Sequence, residues 1–384
     1  MHNAKLRFLF SFLKSKIQKK RGNGMEEKLA RVRGYLREKG YTGAVFARQD
    51  NFNWITGGGN SRVIVPRDAG HAAVVVTEEQ VFLVAQWMDG PRIMDEEMAH
   101  LAAEPVFLHW YEASVPARAV ELAGARPVCD LPGIGGEERL SELYDLHFPL
   151  TDEEYRTLRH VGALSDAVLT RVAGRIAPGM TDYAAEAMIL EAFAEENAQC
   201  DVVLIGTEER MFRYRHPNPC GRKLGKYVML HAAVRWHGLH SNVSRSVYFG
   251  DSVPEEIARP YEAACRIEAF CMSQCVTGRR WAEILAGQKQ LYAELGYDGE
   301  WKCHYPGGRT GYFVSQSDLS LDPTRTIQNR EAYDFFVTAT GAKVEELSVN
   351  WDGRHEILSH TGLWPSKCYS SNERDFELPQ ILLR

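Results

Sequence analysis

Between Tyr227 and Gly250 the chain reads YVMLHAAVRWHGLHSNVSRSVYFG. Two strand-like stretches, Tyr227–Val234 and Leu239–Phe249, flank the turn-forming pair His237-Gly238, which is the pattern of a β-hairpin. Around it the periodicity is helical. Asp152–Ile176 and Thr181–Ala198 precede the hairpin, divided by Pro178-Gly179, and Pro254–Cys275 and Arg280–Leu295 follow it. Strand-like segments then recur at Gly311–Val314, Glu331–Thr340, Glu346–Trp351 and Glu356–Leu358. Helix, helix, strands thus occurs twice between residues 151 and 384, which predicts an α+β domain with internal pseudo-symmetry.

Residues 25–150 read as a smaller α/β domain. A helix over Glu26–Lys39 stops at Gly40, and a buried strand follows at Gly43–Ala47. The aromatic stretch NFNWITGGG (51–59) reads as turn. Strands are expected at His71–Val76, Gln80–Ala85 and near Pro105–Leu108, with helices at Ile93–Leu101 and Pro116–Leu122. The first 24 residues carry seven Lys/Arg and no acid. They read as a disordered basic tail, with a membrane-touching amphipathic segment as the alternative.

Composition excludes several function classes. The 384 residues hold 45 basic and 51 acidic side chains, a net charge of −6, without a basic stripe, which argues against nucleic acid as partner. There is no apolar run of the roughly 18 residues needed to cross a bilayer. The eight cysteines are scattered and read as reduced thiols in a cytoplasmic protein. Phosphate-loop, nucleophile-elbow and HExxH zinc motifs are absent, and HEILSH (355–360) is one residue too long for the last.

The hairpin, the NFNWITGGG stretch and RYRHPNP (213–219) together resemble the creatinase/aminopeptidase P group of M24 proteins. The resemblance extends over residues 26–384. It implies a two-domain creatinase/prolidase-like architecture with a C-terminal pita-bread domain. In that family the hairpin carries two metal-binding aspartates, a GHGxG loop supplies a histidine, and two glutamates follow. Carried across residue by residue, the first aspartate position falls on His231 and the second on Asn242, with Ser244-Arg245-Ser246 after it. The histidine position falls on Gly308 and the first glutamate position near Phe336. The last glutamate position falls on Glu345.

One carboxylate and one histidine do not offset the charge of two divalent cations. The expectation is therefore no metal and no cofactor, although a single metal on His231, Glu345 and His304 stays open. The resemblance to creatinase implies a metal-independent hydrolase of a C–N bond in an amide, amidine or guanidino compound. His216 is the candidate general base, with Glu345 and His231 completing the catalytic set. Arg309 is a candidate clamp for a substrate carboxylate, with Arg245, His304 and Arg62 as further substrate-binding candidates. Two alternatives stand beside this reading: a non-catalytic pseudo-peptidase that binds a ligand or partner, and a metal-dependent Xaa-Pro aminopeptidase with an atypical ligand set. The expected partners are a small molecule or short peptide and, from the resemblance, a second copy in a homodimer.

Overall fold

Apolar runs separated by glycine- and proline-containing turns give this chain its strands, and the computed structural model describes them for residues 24–305, 307–313, 322 and 324–384. The basic segment preceding residue 24 lies outside the described residues. The chain divides into two units, Met1–Glu153 and Glu154–Arg384.

The first unit is built on a mixed sheet. Its strands are β1 (Gly43–Arg48), β2 (Ala69–Thr77), β3 (Val81–Gln86), β4 (Glu104–Leu108), β5 (Pro127–Cys129) and β6 (Glu137–Glu138), in the order β4-β3-β2-β1-β5-β6. Val45, Val75 and Val84 on the three central strands are fully buried. A helix over 24–39 precedes the sheet, and the helix Val115–Leu122 is capped by Ser114, whose Oγ accepts from Ala117 N–H at 3.3 Å.

The NFNWITGGG stretch departs from expectation, since its first half lies in a helix, Gln49–Ile55. Its asparagines find partners that a turn would not need. Asn51 Nδ2 donates to the buried Asp130 carboxylate at 3.0 Å, and Thr56 Oγ1 donates to Phe52 O at 2.6 Å. The helix expected at Ile93–Leu101 shrinks to one wide turn, Ile93–Glu97.

In the second unit the helices Asp152–Ala173 and Asp182–Ala194 lead into β7 (Gln199–Thr207), β8 (Tyr227–Trp236) and β9 (Leu239–Tyr248). His237 (φ 48°) and Gly238 (φ 83°) are both left-handed, the conformation that joins two strands with the least splay. The pairing sets His231 opposite Ser244 and Ala233 opposite Asn242. The helices Glu255–Ser273 and Trp281–Glu294 follow. The remaining strands are β10 (Gly307–Thr310), β11 (Glu331–Phe335), β12 (Val337–Ala339), β13 (Ala342–Val344), β14 (Leu347–Trp351), β15 (Arg354–Ile357), β16 (Ser366–Ser371), β17 (Arg374–Pro379) and β18 (Leu382–Leu383). They form the sheets β10-β11-β14-β15 and β18-β9-β8-β7 and the pairs β12-β13 and β16-β17.

Two expectations shift here. The strand expected at Gly311–Val314 forms earlier, at Gly307–Thr310; residues 311–313 bend, and Val314 lies outside the described residues. Glycines are poor strand formers, but Gly307 is required where it stands. It has φ +96°, and a Cβ there would lie 2.2 Å from Asp334 O. The single strand expected over Glu331–Thr340 breaks at Phe336, and its halves join different sheets.

A core of Cys265, Ile267, Met272, Trp281, Tyr333 and Val344 joins the helices Glu255–Ser273 and Trp281–Glu294 to β11 and β13. The eight cysteines are free thiols.

Candidate active site

All ten residues of β9 are buried, yet His240, Ser241, Asn242, Ser244, Arg245 and Ser246 are polar. Burial of polar groups is costly unless they meet partners. The period of two divides those partners between the faces of the strand.

One face is an ion-pair network. Arg245 Nε and Nη2 donate to Asp166 Oδ1 at 3.0 and 2.7 Å, Nη1 donates to Ser244 O at 2.8 Å, and Nη2 donates to Ser359 O at 3.0 Å. The same guanidinium pairs with Glu346. These bonds occupy Arg245 within the fold, and the structure does not bring it to the other candidates.

The opposite face carries His231 and Asn242, and the candidates gather there. His231 Nδ1 lies 3.3 Å from Glu345 Oε2, and Lys343 Nζ lies 2.9 Å from the same oxygen. Lys343 and Glu345 are two residues apart on an extended segment and so point the same way. The His231–Glu345 contact is not an aligned hydrogen bond. Asn242 Nδ2 donates to Asp334 Oδ2. Asp334 sits opposite Gly308 in the β10–β11 register, so the side chain missing at Gly308 leaves room beside a carboxyl. Phe336 closes the cluster, with Lys343 Nζ 5.5 Å from its ring centroid.

His216 and His304 stand at the more exposed side. Asp182 fixes the loop that carries His216: its carboxylate accepts from Cys220 N–H at 2.9 Å and Gly221 N–H at 2.8 Å. Arg215 pairs with Glu300, whose Oε1 accepts from Thr340 Oγ1 at 2.6 Å. That pair ties the His216 loop to the segment bearing His304, and the two imidazoles meet Nε2 to Nε2 at 3.0 Å. His304 Nδ1 faces Tyr305 O at 2.7 Å, so it carries the ring proton. Nε2 of a neutral His304 is then the acceptor, His216 Nε2 the donor, and the lone pair of His216 is left on Nδ1.

Electrostatics follow from burial. Desolvation, and then the charge of Lys343, holds His216 below its usual range and brings His304 down to about 4. The same two causes keep His231 well below the usual imidazole range. Burial pushes Glu345 up to about 7 against the pull of Lys343. Burial, and then the charge of Glu345, holds Asp334 well above the carboxylate range. At neutral pH the cluster therefore contains three uncharged imidazoles.

The other two candidates lie elsewhere. Arg309 Nη1 faces Glu331 Oε1 at 3.4 Å, and Glu331 also accepts from Tyr333 OH at 2.7 Å. Glu331 and Tyr333 alternate with Asp334 on β11, so Arg309 is on the face turned away from it. Arg62 belongs to the first unit, where its backbone N–H donates to Asn60 Oδ1 at 2.8 Å. His240 follows the hairpin turn on β9. It is buried, with Nε2 3.1 Å from Asp201 Oδ2.

Sequence reasoning missed Asp334 and the central place of Lys343. The signal for Lys343 was its spacing of two from Glu345. Asp334 had no local signal, because its place depends on the β10–β11 register.

Residues 156–341 match the family model described as metallopeptidase family M24. The prolidase of Pyrococcus horikoshii OT3 is similar in structure, with a TM-score of 0.73 at 14% identity over 87% of this chain and 98% of that one. A dipeptidase from the same organism gives 0.72 at 18% identity over 94% and 100%. A dipeptidase from Mycobacterium ulcerans gives 0.70 at 18% over 88% and 96%. No curated protein sequence matches the chain. Fold and family match together define an α+β protein of the pita-bread class, whose residues 156–341 match the M24 family model.

The family's description implies metal, and the donors here do not fit a pair of divalent cations. Asp334 is engaged by Asn242, an ammonium already lies against Glu345, and Gly308 and Phe336 bring no ligand. Among the described residues no three His, Cys, Asp or Glu side chains are grouped so as to hold a metal ion. No described helix is long and apolar enough to cross a membrane.

Proposed function

We propose that this chain is an M24-type hydrolase that cleaves a C–N bond in a small polar amide, amidine or guanidino substrate without a metal, with His216 as general base. The observation that carries the reading is the neutral His216–His304 pair, in contact at 3.0 Å and set beside a buried Lys343–Glu345–His231 cluster. An imidazole kept neutral at pH 7 is in the form that accepts a proton. His216 Nδ1 takes a proton from water as the water oxygen bonds to the substrate carbon. It returns that proton to the nitrogen as the C–N bond breaks. Asp334 Oδ1 is the hydrogen-bonding group for a polar group flanking the reacting carbon. Among the described residues, His231 Nδ1, Asp334 Oδ1 and Glu345 Oε2 are buried without an aligned hydrogen bond, and a polar ligand would satisfy them.

The test is hydrolysis of a panel of amides, guanidino compounds and Xaa-Pro dipeptides by tag-free protein, with and without EDTA. Turnover that survives EDTA and falls by about 10²-fold or more in folded His216→Ala supports the reading. Turnover abolished by EDTA and restored by metal would establish the metallopeptidase reading instead. Saturable thermal stabilisation by a panel compound without hydrolysis would establish a binding protein.

A further inference from the structure

Lys343 is 4% exposed and lies on β13, between residues that face the hydrophobic core. An ammonium in such a place is costly unless it meets an anion. Among the described residues its anionic contact is Glu345 Oε2, at 2.9 Å. That oxygen also faces His231 Nδ1, at 3.3 Å. His231 and Glu345 are two of the positions that the M24 resemblance assigns to metal ligands. The ammonium thus stands against the carboxylate on which a divalent cation would sit. Its charge is also felt at His216, His231 and His304.

We infer that Lys343 is the resident cation of this site: its Nζ takes the place of a divalent metal ion against Glu345 and His231, and so excludes one. The inference concerns the same residues as the proposed hydrolysis but does not depend on turnover. A single positive charge offsets one carboxylate, which matches a site where His231 and Asn242 stand at the family's two aspartate positions. Two divalent ions would demand more anionic oxygen than these residues offer. An ammonium carries three N–H donors. Those not directed at Glu345 are available to an oxygen atom of a bound ligand.

The experiment is calorimetric titration of ZnCl2 into tag-free wild type, Glu345→Gln, Lys343→Met and the double variant Lys343→Met/Glu345→Gln. Removal of the ammonium frees Glu345 and His231 to act as ligands, with water completing the shell of the ion. The expected result is no stoichiometric zinc uptake at this site in wild type, about one equivalent in Lys343→Met, and loss of that equivalent in the double variant. The inference is overturned if wild type binds one equivalent that Glu345→Gln abolishes, or if folded Lys343→Met binds none. The wild-type and Glu345→Gln arms decide independently if Lys343→Met does not fold, and Lys343→Gln serves as a second charge-free variant. Failure of the hydrolysis panel would leave these titrations unaffected, so the two proposals fail separately.

Discussion

Glu345 and Glu346 are neighbours in the chain and point into different networks: Glu345 Oε2 meets Lys343 Nζ at 2.9 Å, while Glu346 meets Arg245. Extended backbone turns alternate side chains to opposite sides. One acidic dipeptide thereby serves both a structural ion pair and the candidate site, and the two roles can be separated by substitution.

The structural role predicts a large stability loss. Arg245→Ala leaves Asp166 and Glu346 buried without their cation. Breaking a buried pair by removal of one partner costs about 3–5 kcal/mol. Urea unfolding of Arg245→Ala should show a loss of that order. A loss under about 1 kcal/mol would mean that the network contributes little.

The site role predicts a pH dependence. Glu345 is raised from an ordinary 4.5 to about 7 in the fold, first by burial. A carboxyl whose folded pKa exceeds its unfolded one contributes stability that is full below the unfolded value and lost as pH rises through the folded value. Wild type should therefore lose stability relative to Glu345→Gln between about pH 4.5 and pH 7. Equal pH profiles for the two proteins would contradict this. His304 has the opposite sign. Its pKa, lowered to about 4 from 6.5, gives a contribution present above 6.5 and lost as pH falls through about 4. NMR titration of its imidazole should place the midpoint near that lower value.

Positioning of the histidine pair is a third expectation. The Arg215–Glu300 pair holds the two loops together. Arg215→Ala should reduce kcat on any substrate found in the panel by about 10-fold, a modest fraction of the effect of removing the base itself. As a positioning change it should also move the acidic limb of the pH–rate profile towards the ordinary histidine range. An unchanged limb with a lower rate would point to a purely structural effect.

Gly307 gives a fourth expectation. Its φ of +96° is strained for any L side chain, and a Cβ at this position would lie 2.2 Å from Asp334 O, so there is no place for a methyl group. Gly307→Ala should destabilise by about 1–3 kcal/mol, the range for overpacking, and should disturb Asp334 through the shared β10–β11 register. A thermal melt with no loss of Tm would show that β10 can shift without cost.

Much of the fold was legible in sequence because it rests on local periodicity. The β8–β9 hairpin announced itself through two strand-like runs around His237-Gly238, and the four long helices of the second unit through their spacing and turn residues. The helix at Gln49–Ile55 was not legible, since Asn51 depends on Asp130, 79 residues away. The hairpin β16–β17 was also missed, because Ser366–Ser371 lacks apolar alternation and its partner strand shows it at no more than Phe376 and Leu378.

The sequence by itself determined the elements, the family resemblance and which residue types stand at the family's ligand positions. His231, Asn242 and Glu345 were identifiable through the family resemblance, carried across residue by residue. Tertiary structure decided which of the candidates share a site. Arg245 and Arg309 fell on the opposite faces of their strands, while Lys343 and Asp334 were brought against Glu345 and Asn242. The physical reason is that facing is set by strand register and sheet pairing. A buried charge settles wherever long-range pairing supplies its partner, and nothing in the local sequence states where that will be.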